Sequence, residues 1–317
     1  MEATALSTRM QKRLASRVSL LALTTLISTI ALILMGSIVR VTGHGLGCPD
    51  WPLCYGQPIP PFLVGAWMEF THRLIGLIAS VQIVALGWIG LRRYRHHAWL
   101  KGSGIALLVL LVIQIPLGGL HVILEIPPET GLIHTAIALA IVGLVALMFA
   151  LLHPATVTLR RKAATFMQDR RFLRWLTVGT VLLYLLLLTG SLVTRLGASL
   201  ACPSWPFCGV PREEWSTLVW IQVLHRYTAY ATGGLLLVLA AYVLRRAPSA
   251  GWRRFAYGLF LVLLAQFTLG VLNVLLRIPM TTRALHLTVG STLWVLVVIL
   301  WVVVHPGIPD VVQDNEA

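Results

Sequence analysis

Charged residues are scarce in this chain of 317 residues. They make up 11% of the sequence, and only 11 residues are acidic, whereas a soluble domain typically has about 25% charged residues. The mean hydropathy is correspondingly high, at +0.84. This shortage of charge excludes an ordinary soluble domain and indicates a chain that lies in lipid.

Long apolar runs occupy most of the sequence. Eight of them are long enough to cross a bilayer, whose hydrocarbon core needs about 20 residues of helix. They are too long and too uniformly apolar for the strands of a barrel, and the first lacks the small-residue cleavage site of a signal peptide. The sequence therefore predicts an all-α membrane protein with eight transmembrane helices, near residues 18–39, 68–91, 100–121, 131–152, 173–194, 219–244, 255–276 and 284–304.

The basic residues predict the orientation of these helices. Most of the 25 Lys and Arg fall on one side if both termini lie inside, and basic loops are typical of the cytoplasmic side. We expect a multi-pass protein of the cell (inner) membrane with cytoplasmic termini. The net charge of +14 is then explained by orientation and contact with anionic lipid, and not by binding to nucleic acid.

The only four cysteines occur in two similar loops, GLGCPDWPLC and LACPSWPFC. The predicted orientation places both loops on the outer face, where thiols are usually oxidised. This favours disulfides between Cys48 and Cys54 and between Cys202 and Cys208. A zinc site built from all four cysteines and free thiols remain as alternatives.

The repeat extends well beyond the cysteine loops. EFTHRLIG matches QVLHRYTA, LGGLHVILEIP matches LGVLNVLLRIP, and LIHTAIAL matches ALHLTVGS. These matches predict two pseudo-repeated four-helix bundles, with a tail that we expect to be disordered. The predicted segments are a cytoplasmic N-terminal segment at 1–17, an N-terminal half at 18–152, a cytoplasmic linker at 153–172, a C-terminal half at 173–304 and a cytoplasmic tail at 305–317.

A pair of histidines recurs in both halves. His72 and His134 in the first half match His225 and His286 in the second, and each pair lies at a similar depth near the outer surface. An interhelical hydrogen bond would explain any one of them. Four histidines at repeat-related positions instead favour haem ligation, because haem iron accepts an imidazole on each face.

Charged neighbours of these histidines differ between the halves. Arg73 and Arg226 each follow a histidine, and we predict that they pair with haem propionates, although an arginine snorkelling at a helix end is the simpler alternative. Glu69 precedes the first histidine by one turn, where the second half has Gln222. The first half therefore has a carboxylate suited to general base catalysis. His121 receives no predicted role.

These motifs, in this order within eight helices, resemble the haem A synthase family. GLGCPDWPLC, EFTHRLIG, LIHT and HRYTA carry the resemblance, which covers about residues 18–304. It implies an oxidoreductase that acts on a CH group and oxidises the C8 methyl of haem O to a formyl group by successive hydroxylation. The resemblance also implies a disulfide in the first cysteine loop.

The resemblance further implies roles for individual residues. His72 and His134 would bracket the substrate haem. His225 and His286 would ligate a resident haem B that passes electrons. Glu69 would be the essential acidic residue.

Two fully ligated irons would leave no position for oxygen, so we expect water to supply the oxygen atom with help from Glu69. Expected partners are haem O and the lipid bilayer, with a haem O synthase and a quinone or other electron acceptor as candidates. An oligomer is compatible with the sequence. The main alternative is a dihaem b-type cytochrome that transfers electrons between quinol and a partner, and a transporter built from repeats is a weaker one.

Overall fold

The computed structural model describes residues 2–311 and the side chains from Ser16 onward. Within this range the chain forms ten α-helices and two single turns of 3-10 helix, and no β-strand. The α-helices are α1 Glu2–Val41, α2 Val64–Arg92, α3 Ala98–Ile123, α4 Pro128–Leu152, α5 Pro154–Arg161, α6 Ala164–Met167, α7 Arg170–Arg195, α8 Thr217–Arg246, α9 Ala250–Leu275 and α10 Met280–Val304.

Eight of these helices are long and apolar enough to cross a membrane. They are α1 from Ser16, α2 to α4 and α7 to α10, with 25 to 30 residues each. The predicted all-α membrane architecture is confirmed. Several helices begin a few residues before the predicted spans, because capping side chains start them outside the apolar run. Ser216 accepts a bond from Val219 N at 3.5 Å, and Ser249 accepts one from Trp252 N at 3.4 Å.

The helices form two groups that meet along α4 and α10. Neighbours in sequence pack together within α1–α4 and within α7–α10, while α10 also contacts α1 and α4. In the most apolar stretch of each helix, 56% of α4 and 67% of α10 is buried, against 17% of α9. The Trp294 indole donates to the carbonyl of Leu139 at 2.9 Å and lies against Gly143. The two central helices are also those that carry His134 and His286.

The segment between the two halves is structured and contacts the chain beyond α10. Helix α5 presents Arg160, which is only 6% exposed and pairs with Asp310 at 2.6 Å. Its guanidinium also donates to four carbonyls at the end of α10 and beyond, namely those of Val302, Val303, His305 and Ile308. The sequence predicted a disordered tail. The contacts of residues 305–311 contradict that prediction, and residues 312–317 lie outside the described residues.

Replacing Arg160 with glutamine is expected to destabilise the protein by roughly 2–4 kcal/mol, because several buried carbonyls lose a charged donor. Thermal unfolding of the purified protein in detergent would measure the loss. The neighbouring Arg161 is exposed, so Arg161→Gln is the matched control and should leave the midpoint unchanged. Equal midpoints for both variants would contradict this structural role for Arg160.

Candidate functional site

Each of the four predicted ligand histidines lies against a glycine on a neighbouring helix. A methyl group added to any of these glycines would approach the histidine Cε1 to between 2.8 and 3.2 Å, closer than ordinary van der Waals contact. The close approach therefore requires glycine on the neighbouring helix. The pairs are His72 with Gly36 of α1, His134 with Gly118 of α3, His225 with Gly190 of α7, and His286 with Gly270 of α9.

The buried ring nitrogens of these histidines are largely unpartnered. The Nδ1 atoms of His72, His134 and His286 have no hydrogen-bond partner, whereas Nδ1 of His225 lies 3.0 Å from the hydroxyl of Thr189. Buried polar groups are normally satisfied. Three of the four imidazoles therefore have an Nδ1 atom without a partner, and histidine rings held in this way are compatible with a bound group that has affinity for imidazole, as haem iron has.

In the second half, the histidine pair lines a cavity of about 210 Å³. His225 and His286 share its walls with their two glycine partners and with the indole of Trp205. Gln266 also lines it and places its amide nitrogen 3.3 Å from Nε2 of His286. About half of the remaining lining residues are aliphatic. An apolar cavity with two imidazoles is suited to a flat, mostly apolar cofactor that carries a metal.

The two cysteine loops close on themselves through disulfides. Cys48 bonds to Cys54, and Cys202 bonds to Cys208. All four cysteines are therefore paired, which confirms the predicted disulfides and excludes the zinc site and the free thiols. Both loops also share a cis peptide bond between tryptophan and proline.

Arg73 and Arg226 bind the backbone of these loops. Each guanidinium donates to three carbonyls at matching loop positions. Arg73 reaches Cys48, Asp50 and Leu53 at 3.4, 3.0 and 2.7 Å, and Arg226 reaches Cys202, Ser204 and Phe207 at 2.7, 2.6 and 3.2 Å. These bonds attach each loop to the helix that carries a histidine. The propionate contacts expected of both arginines stay a prediction, and every contact described above joins them to the loops.

Glu69 is buried beside the first loop, with 4% of its surface exposed. Its Oε2 accepts a bond from Cys48 N at 2.8 Å, and its Oε1 pairs with Arg73 at 2.6 Å. In the second half, the Oε1 of Gln222 is buried without a partner. The sequence difference between Glu69 and Gln222 is thus also a difference in contacts, because only the first loop is bound by a buried carboxylate. A catalytic role for Glu69 remains a prediction.

Asp50 shapes the tip of the first loop. Its carboxylate accepts bonds from the backbone nitrogens of Gly56 at 2.7 Å and Tyr55 at 2.6 Å, and both donors have positive φ angles. The Gly56 bond is the main cause that lowers the pKa of Asp50 below its ordinary value. The carboxylate therefore keeps its charge, and the turn keeps its bonds, at pH values where a free aspartate begins to protonate.

His121, to which the sequence assigned no role, lies next to the first histidine pair. Its ring stacks on that of His134 with centroids 6.4 Å apart, and its Nδ1 lies 2.7 Å from the hydroxyl of Thr130. The matching residue Asn273 accepts a bond from Thr282 at the same distance. Both halves therefore use this position to hold the first turn of the following helix.

Two further arginines line the second cavity and were not predicted as site residues. Arg40 extends from the end of α1, and Arg283 from the first turn of α10. Arg40 donates to the hydroxyl of Thr194 at 3.0 Å, and the Nε atoms of both arginines are buried without a partner. The signal available in sequence was weak, because an arginine at a helix end usually faces water or headgroups.

Comparison with known proteins gives one family. The pattern of the cytochrome oxidase assembly protein family matches residues 19–69, 62–146 and 141–298. The chain is similar to the heme A synthase of Bacillus cereus (strain G9842), with 29% identity over 272 residues, 84% of this chain and 86% of that protein. It is likewise 29% identical to the heme A synthase of Bacillus anthracis (strain CDC 684) over the same shares. The heme A synthase of Bacillus mycoides (strain KBAB4) is 27% identical over 274 residues, again 84% of this chain and 86% of the relative.

Proposed function

The chain belongs to the haem A synthase family of cytochrome oxidase assembly proteins, and we propose that it oxidises the C8 methyl of haem O to the formyl group of haem A. The observation that carries this proposal is the placement of four histidines, each against a glycine of a neighbouring helix. Only one of the two pairs has a buried carboxylate one helical turn before its first histidine, at Glu69. That pair is the proposed substrate site.

In the second half, His225 and His286 would hold a resident haem B. Their rings line one cavity from two helices, and each ring lies so close to a glycine that a methyl group added there would crowd it. Haem B, when bound, supplies one-electron redox chemistry. The protein would hold both imidazoles in place, and the aliphatic residues of the cavity would exclude water from the haem.

In the first half, His72 and His134 would hold the substrate. Conversion of a methyl to a formyl group with one water releases four protons and four electrons. Glu69 is the only buried acidic side chain among residues 16–311, so it is the proposed first acceptor of these protons. The electrons would leave through the second half to a quinone or another acceptor. Water as the oxygen source and this electron path are parts of the proposal.

The proposed location is the cell (inner) membrane, with cytoplasmic termini and both disulfide loops on the outer face. Disulfides persist in oxidising compartments, which supports that placement. The protein's proposed partners are haem O, a haem O synthase that supplies it, and the electron acceptor. The alternative of a dihaem b-type cytochrome would use the same four histidines, but it gives no reason for the buried carboxylate of Glu69 to occur in one half only.

The direct test is to express the chain in cells that make haem O, purify it in detergent and identify the extracted haems by mass. Haem A, or its hydroxylated precursor, together with haem B would support the proposal. Two haem B molecules per chain and no oxidised product would instead establish the cytochrome. Labelled water and labelled O₂, supplied in separate cultures, would identify the source of the formyl oxygen.

Gly36→Ala is expected to lower product formation by at least about tenfold, because the new methyl would lie 2.8 Å from Cε1 of His72 and must displace the ring from its position. The haem B content should stay unchanged, since the second half is untouched. The measurement is haem A per chain after extraction. Gly102→Ala, on an open face of α3, is the matched control, and equal yields from both variants would refute the effect of Gly36.

A further inference from the structure

The second cavity contains cationic side chains without an anionic partner. Arg40, Arg226 and Arg283 line it, and none of the described lining residues is acidic. Arg226 is occupied by loop carbonyls. The other two keep buried Nε atoms that have no partner. Uncompensated charge within a membrane protein is costly and usually marks a functional site.

The two arginines come from different halves of the chain. Arg40 ends α1 of the first half, yet its guanidinium donates to Thr194 on α7 of the second. Arg283 lies three residues before His286 on α10, and residues with this spacing share one face of a helix. Arg283 also lies in the first turn of α10, where the helix dipole favours an anion.

The first half likewise receives an arginine from the second half. Arg195 of α7 donates to the hydroxyl of Thr135 on α4 at 3.1 Å, next to His134. Its guanidinium occupies the space that a side chain at Gly131 would fill. Gly131 is the position that matches Arg283 in the repeat. Each half therefore receives an arginine from the other half.

We infer that Arg40 and Arg283 form a carboxylate-binding site that holds the propionates of the haem ligated by His225 and His286. The inference rests on the proposed function for the haem, and it moves the propionate contacts from Arg226 to two arginines that the loops do not occupy. Carboxylates fit because a guanidinium offers paired donors in one plane. Propionates are the only anionic groups on an otherwise apolar macrocycle.

The test compares haem B with its dimethyl ester, which has the same iron and ring but no carboxylate charge. Haem-depleted full-length protein is titrated with each, for the wild type, Arg40→Met and Arg283→Met. Arg245→Met, at an exposed position near the end of α8, is the control. The wild type should prefer haem B by at least about tenfold, and each cavity variant should lose most of that preference. The control should retain it.

The midpoint potential of bound haem B gives a second measure. Loss of a nearby positive charge should lower it in the two cavity variants and leave it unchanged in Arg245→Met. Equal weakening of haem B and ester, with an unchanged potential, would show a merely structural role and overturn the inference while the haem site stands. A wild type that binds neither compound would overturn the proposed function and the inference with it.

Discussion

His286→Ala is expected to remove more than about nine-tenths of the haem B from the purified protein and to abolish haem A formation. The ring of His286 lies against Gly270 and borders the second cavity, so its loss would remove one of the two proposed haem ligands. Mutating a residue that only supports a metal ligand typically costs about 10–100-fold in affinity, so losing a ligand should cost at least as much. Haem content per chain and extracted haem A are the two measurements.

Two comparisons make this result specific to ligation. Added imidazole should restore part of the haem B in His286→Ala, because the deleted ring leaves a space of its own size beside Gly270. His153→Ala, at the junction of α4 and α5, should retain haem B. A full complement of haem B in both His286→Ala and His225→Ala would show that the second half holds no bis-histidine haem.

Glu69→Gln is expected to lower haem A formation at least about 100-fold while the protein keeps its haem B. The change removes the only buried carboxylate described in the structure, and with it both the ion pair to Arg73 and the proposed proton acceptor. The amide oxygen still offers an acceptor to Cys48 N. The yield of haem A and of the hydroxylated intermediate would be measured by mass.

Arg73→Met separates the two contributions of Glu69. If the carboxylate serves only to hold the first loop, losing its partner should reduce the yield as much as Glu69→Gln does. If the Glu69 carboxylate accepts protons, Glu69→Gln should lower the yield more than Arg73→Met does. The rate of haem A formation should then depend on pH in Arg73→Met but not in Glu69→Gln. Gly102→Ala, on an open face of α3, is the control and should leave product formation intact. Wild-type yields from Glu69→Gln would rule out both roles.

The crossing arginines suggest why two similar halves are kept on one chain. Arg40 and Arg195 are contributed across the boundary between the halves, so neither proposed haem site is complete within its own bundle. Trp294 and Leu139 join the same boundary through a buried bond. A haem bound in one half would thereby stabilise the contact with the other.

The sequence by itself determined the membrane architecture and the chemistry of the loops. Hydropathy and helix length are properties of consecutive residues, so eight helices could be counted without tertiary information. The internal repeat identified the histidine pairs and the single Glu69 against Gln222. The disulfides followed from cysteine pairs close in sequence.

The tertiary structure alone decided how the charged side chains are used. Arg73 and Arg226, whose predicted propionate contacts stay a prediction, donate to loop carbonyls, because the folded loops bring those carbonyls within reach. Arg40 lies 154 residues from its partner Thr194, and Arg160 lies 150 from Asp310. Contacts of this kind depend on how helices pack against one another, which neither hydropathy nor local spacing encodes.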